Sequence, residues 1–179
     1  MTSRRASDDT LDSAVSRVSA ADGEPISPSL RAALDRLAAT SGPAESYTVE
    51  PDPESVTAAR HFATGTLEAR GMAGLCDDVG LVVSELVTNA LRHSLPGHGL
   101  PGCAEAARSA IRLRLLLEPP YVLCGVIDQG AALPLRREPD YIAETGRGLH
   151  LVDSFSTRWG WTRLPPVGKI VWAIFQVPQ

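Results

Sequence analysis

The stretch Leu81-Val82-Val83-Ser84-Glu85-Leu86-Val87-Thr88-Asn89-Ala90-Leu91-Arg92-His93-Ser94 decides how the chain is read. Leu81, Val82, Leu86, Val87 and Ala90 recur at helical spacing and cover most of the surface of a helix expected from about Cys76 to His93. Glu85, Asn89 and His93 are spaced four apart, so they lie along one stripe of that helix. A carboxylate and a carboxamide on so apolar a helix need polar partners if they are buried. Two readings fit the spacing. One is a solvated stripe at a helix edge, satisfied by water or an internal hydrogen bond. The other is a hydrated cation with its anionic ligand, because Mg²⁺ keeps several waters and takes few protein ligands.

Working outward, Asp77 and Asp78 fall in the first turn of this helix, where negative charge suits the dipole. Before it, Glu54 to about Arg70 reads as a helix with Val56, Ala59, Phe62, Ala63 and Leu67 on one face, broken by Gly71 and Gly74. Tyr47 to Glu50 reads as a short edge strand ended by Pro51 and Pro53. Ser27-Pro28 is an N-cap followed by proline at the first helical position. Leu30, Ala33, Leu34 and Leu37 follow at helical spacing until Ser41-Gly42-Pro43. This short amphipathic helix either packs on the domain or offers a partner or dimer contact. Met1 to Glu24 has few large apolar residues and is expected to be disordered.

Beyond the central helix, Ser94 to Ser109 reads as a flexible insertion rich in Gly, Pro and Ala. Ile111 to Leu115 alternates with period two and is expected to be a strand. Glu118-Pro119-Pro120 turns the chain into a second, antiparallel strand, Tyr121 to Ile127. Asp128 to Thr145 is irregular, Gly146 to about Phe155 a glycine-led helix, and Trp159 to Thr162 and Ile170 to Val177 two more strands. Helices come mostly first and antiparallel strands mostly later. The expected fold class is therefore α+β, a two-layer sandwich with helices on one face of a mixed, mostly antiparallel sheet. The expected organisation is a disordered tail over 1–24, a helix and linker over 25–45, and the main domain over 46–179.

The chain has 179 residues, 17 basic and 21 acidic, for a net charge of −4. That balance argues against broad electrostatic binding of nucleic acid. No apolar run approaches the roughly 20 residues that span a bilayer, and the N-terminus does not read as a secretory signal. Cys76, Cys103 and Cys124 make neither a CxxC pair nor a disulfide framework, and read as reduced thiols of a cytoplasmic protein. The glycines fail the dinucleotide fingerprint, and no phosphate loop ending in Gly-Lys-Ser/Thr is present.

Two further segments carry chemistry. Val126-Ile127-Asp128-Gln129-Gly130 places an aspartate at the end of an apolar strand, which suits either a turn or a carboxylate that accepts from a ligand amine. Thr145-Gly146-Arg147-Gly148-Leu149 opens a helix with two glycines, where backbone N–H groups and the dipole can receive phosphate. Each is common by itself.

Together and in this order, the three segments resemble the GHKL (Bergerat-fold) histidine-kinase-like ATPases, and within them the anti-sigma-factor serine kinases. Ser84-Glu85-Leu86-Val87-Thr88-Asn89-Ala90 is similar to that family's N-box. Asp128-Gln129-Gly130 is similar to the start of its first glycine box, and Gly146-Arg147-Gly148-Leu149 to its second. The resemblance spans roughly Ser46 to Val177. It departs at Ala132, where the family's fuller first glycine box carries a second glycine.

The resemblance implies ATP and Mg²⁺ as ligands. Asn89 would ligate Mg²⁺ and Glu85 would be the general base. Asp128 would accept from the adenine amine, and Gly130 would let the base approach. Gly146, Arg147, Gly148 and Leu149 would shape the phosphate pocket, and His93 would line its edge. Lys169 is read as a solvated residue at a hairpin end, and His61 and His150 as structural. The implied activity is phosphorylation of a serine or threonine on an antagonist protein, with a sigma factor as the second partner and a homodimer possible. The alternative is a nucleotide-binding interaction module without catalysis.

Overall fold

The structure is a computed structural model that describes residues 19–20, 26–52, 54–94, 111–130, 134, 148–164 and 168–178. In chain order its elements are β1 (Ser19–Ala20), α1 (Pro28–Ala38), β2 (Glu45–Val49), α2 (Glu54–Ala69), α3 (Cys76–Ser94), β3 (Ile111–Glu118), β4 (Tyr121–Asp128), α4 (Gly148–Phe155), β5 (Arg158–Arg163) and β6 (Lys169–Gln176). A 3₁₀ turn, Ala73–Leu75, leads into α3. The strands form one sheet in the order β1-β5-β6-β4-β3-β2.

Every pairing among these strands is antiparallel, in keeping with the expected α+β fold on a mostly antiparallel sheet. The reason is the β5–β6 hairpin. It inserts β6, not β5, beside β4, so the crossover through α4 skips one strand position and no two parallel strands meet.

Side chains alternate across the pleat and build two cores. On one face, Leu113 and Leu115 of β3, Cys124 and Val126 of β4 and Ala173 and Phe175 of β6 meet Ala59, Ala63 and Leu67 of α2, the apolar side of α3, and Val152 of α4. This is the expected helix layer on a sheet. On the other face, Leu116, Leu123, Ile170, Trp172 and Ile174 are covered by Ala33, Leu34 and Leu37 of α1. The apolar side of α1 is thus covered by the chain's own sheet, as in the packed reading of this helix. Ser27 caps it, its Oγ accepting from the Leu30 N–H at 3.2 Å. At its other end Arg36 forks onto Glu118, with Nε 2.8 Å from Oε1 and Nη2 2.6 Å from Oε2.

Arg114 shares the α1 face of β3 with Leu116, by alternation. It is only 3 % exposed, and neither its Nε nor its Nη2 has a hydrogen-bond partner among the described residues. Burial, with the neighbouring Arg112 adding repulsion, pushes its guanidinium below its usual range.

Ser19 and Ala20 pair with Trp161 and Gly160 at the sheet edge, so this part of the tail expected to be disordered is paired. The rest of that tail, residues 1–18 and 21–24, lies outside the described residues, as does most of the expected insertion, from residue 95 on. No helix among the described residues is long and apolar enough to cross a membrane.

Candidate functional site

The site starts from the packing of α3. Val79, Val82, Val83 and Val87 are fully buried in the main core, which fixes the rotation of the helix. That rotation leaves Glu85 and Asn89 half-buried on the side facing α4. His93, one turn further, is exposed, so the stripe runs from a covered part to solvent.

Gly148, the first residue of α4, covers the stripe. A β-carbon at this position would stand 2.6 Å from Glu85 Oε2, 3.4 Å from Asn89 Nδ2 and 3.7 Å from Asn89 Oδ1. A side chain here would require the flexible end of Glu85 to move aside. The start of a second helix thus lies beside the half-buried part of the stripe that carries Glu85 and Asn89.

The position of α4 is itself fixed. Val152 is fully buried in the main core, and Leu149 packs against the same cluster. Trp159 Nε1 donates to Asp153 Oδ1 at 2.9 Å, tying α4 to β5. Leu149, expected in the phosphate pocket, thus has a packing role in holding Gly148 in place. Gly146 and Arg147 lie outside the described residues.

A second cluster forms where β4 ends and β6 begins. Asp128 and Lys169 are directly opposed in the β4–β6 ladder. Lys169 Nζ donates to Asp128 Oδ1 at 2.6 Å and to the Gly130 carbonyl at 2.8 Å. The Gly130 N–H donates to the same Asp128 oxygen at 2.7 Å. Asp128 is 2 % and Lys169 5 % exposed.

This corrects the solvated position expected for Lys169. The cause is Gly168, at φ +113°, where a β-carbon would lie 2.8 Å from the Asp128 carbonyl oxygen. The β5–β6 connection thereby passes so close to the end of β4 that Lys169 begins its strand beside the carboxylate. Hairpin-end lysines are usually solvated, which hid this one. The register of Gly168-Lys169 against Asp128 was the signal that could have found it.

Of the other histidines, His61 is exposed on α2, and His150 on α4 has its Nε2 buried without a hydrogen-bond partner among the described residues. No group of three or more His, Cys, Asp and Glu side chains among the described residues could hold a metal by itself. What the structure offers a cation is a single carboxamide, that of Asn89, close to the start of α4 at Gly148. That fits Mg²⁺ arriving with a polyphosphate and its own waters, not a protein cage.

The arrangement thus contains a carboxylate and a carboxamide under a glycine-started helix, and a buried, ion-paired carboxylate at a strand end. No curated protein matches the chain. The profile of the histidine kinase-like ATPase domain matches residues 49–175, most of the chain and all of α2, α3, β3, β4, α4 and β5. That match covers both clusters and implies ATP as the ligand, and by it the chain belongs to the histidine kinase-like ATPase domain family.

Proposed function

We propose that this domain is a serine/threonine protein kinase of the anti-sigma-factor type, which uses ATP to phosphorylate an antagonist protein and binds a sigma factor as its second partner. The observation that carries the reading is the contact of Gly148 with Glu85 and Asn89. It brings the start of α4 to the stripe on which Glu85 would serve as base and Asn89 as metal ligand. A binding module alone has no need of Glu85 there.

In this reading Asn89 holds Mg²⁺, which neutralises charge on the phosphates when bound. Glu85 takes the proton of the attacking hydroxyl, while the N–H groups of the first turn of α4, which have no acceptor within the helix, face the phosphates. Asp128 accepts from the adenine amine, and the Gly130 backbone, hydrogen-bonded to Asp128, gives that end of the pocket its shape.

Glu85→Gln keeps the shape and removes the base. A general base contributes about 10²–10⁴-fold in rate. The test is radiolabel transfer from ATP to candidate antagonist domains, with ATP binding measured on the same proteins. The reading expects transfer by the wild type, loss of transfer in Glu85→Gln, and ATP binding retained in both. Tight ATP binding with no transfer to any antagonist would instead favour the non-catalytic module.

A further inference from the structure

We infer that Lys169 is a specificity-determining residue of the nucleotide site, donating to the ring nitrogen of adenine next to the amine that Asp128 reads. The inference rests on the nucleotide reading above and deepens it.

An ammonium group has three donors and no acceptor. Two of those of Lys169 are used, on Asp128 Oδ1 at 2.6 Å and on the Gly130 carbonyl at 2.8 Å. No partner for the third is found among the described residues. A lysine only 5 % exposed, with a donor left over beside the carboxylate of a ligand site, is poised for an acceptor on that ligand.

Adenine supplies one. Its Watson–Crick edge carries the C6 amine, a donor, directly beside ring N1, an acceptor. Asp128 by itself reads only the donor. Asp128 and Lys169 together present an acceptor and a donor side by side, which is the complement of that edge. The pair is rigid because the two residues are register partners in the β4–β6 ladder and Gly168 brings the strands together at their ends. Lys169 also links Asp128 to Gly130, the two residues of the first glycine box that this site retains.

The experiment pairs a change in the ligand with a change in the protein. The full chain is titrated with ATP and with 1-deaza-ATP, in which ring N1 is replaced by CH. Losing a hydrogen bond from a charged donor should weaken wild-type binding by about ten- to a hundredfold. In Lys169→Met the two nucleotides should bind within about twofold of each other, since the donor that distinguishes them is gone. Lys169→Gln, which keeps N–H donors, should recover part of the preference.

The wild-type comparison needs no variant, so it decides even if Lys169→Met does not fold. Equal binding of the two nucleotides by the wild type overturns the inference and leaves the nucleotide reading standing. An undiminished preference in Lys169→Met also overturns it. Failure of the wild type to bind ATP overturns the nucleotide reading and this inference with it.

Discussion

Gly148 stands against Glu85: a β-carbon there would meet Oε2 at 2.6 Å, so the end of the Glu85 side chain would have to shift. The two residues come from different helices and lie more than sixty positions apart in the chain. Their contact is the point at which α4 is pressed onto the functional stripe of α3. Gly148→Ala should therefore displace the Glu85 carboxylate or push the first turn of α4 away. We expect ATP binding to weaken by at least about tenfold, as for a hydrogen bond to a charged group that is lost, with a melting temperature that changes little. Calorimetric titration and thermal melting of the one variant check both parts. Unchanged binding would show that this contact is not part of the site.

The second core depends on α1. Leu37 is fully buried among Leu116, Leu123, Ile170 and Trp172. Leu37→Ala should cost about 2–5 kcal/mol of stability through the cavity it leaves. Urea unfolding measures this directly. A loss below about 1 kcal/mol would mean that α1 does not pack on the sheet in solution.

Arg114 gives the opposite sign. Its buried guanidinium has two nitrogens without partners among the described residues. Arg114→Met removes the desolvation cost and keeps the volume, so it should raise stability by about 1–3 kcal/mol. The same urea experiment reads it. A fall in stability would show that the charge has a partner that the described residues do not supply.

Cys124 reports on the main core. Burial pushes its thiol up to about 12, partly offset by backbone hydrogen bonds from Ala173 and Cys124 itself. At pH 8 the folded chain should leave this site unmodified by a thiol reagent that labels it completely in denaturant, as site-resolved mass spectrometry will read. The sign of the pH dependence follows. The folded state keeps this proton to higher pH than the unfolded chain. Stability from this group is thus intact below the ordinary thiol value of 9.0. It falls as pH rises from there towards 12, by up to about 1.4 kcal/mol per unit. Rapid native labelling of Cys124 would contradict its burial.

The elements of the main domain were legible because their signals are local. Apolar spacing placed α2 and α3, period-two alternation placed β3, and the Pro119-Pro120 turn placed the start of β4. The side of the sheet taken by α1 was not legible, because Leu30, Ala33, Leu34 and Leu37 make an apolar stripe for either face. Strand order was not legible either, since placing β6 beside β4 depends on how the β5–β6 hairpin inserts. Within the site, spacing put Glu85 and Asn89 on one stripe, but that Gly148 covers it is a tertiary fact. Lys169 was missed for a related reason: an unpaired lysine belongs in water, and only the strand register reveals Asp128 opposite it.

The most direct test of the ATP site as a whole is calorimetric titration of the wild type and Asp128→Asn with ATP, in the presence and absence of Mg²⁺. Asparagine retains the shape of the side chain but can turn an N–H towards the adenine amine, and it removes a charge-assisted hydrogen bond. The account predicts Mg²⁺-dependent ATP binding by the wild type and binding about ten- to a hundredfold weaker in a folded Asp128→Asn. Equal affinity of the two chains for ATP would contradict it.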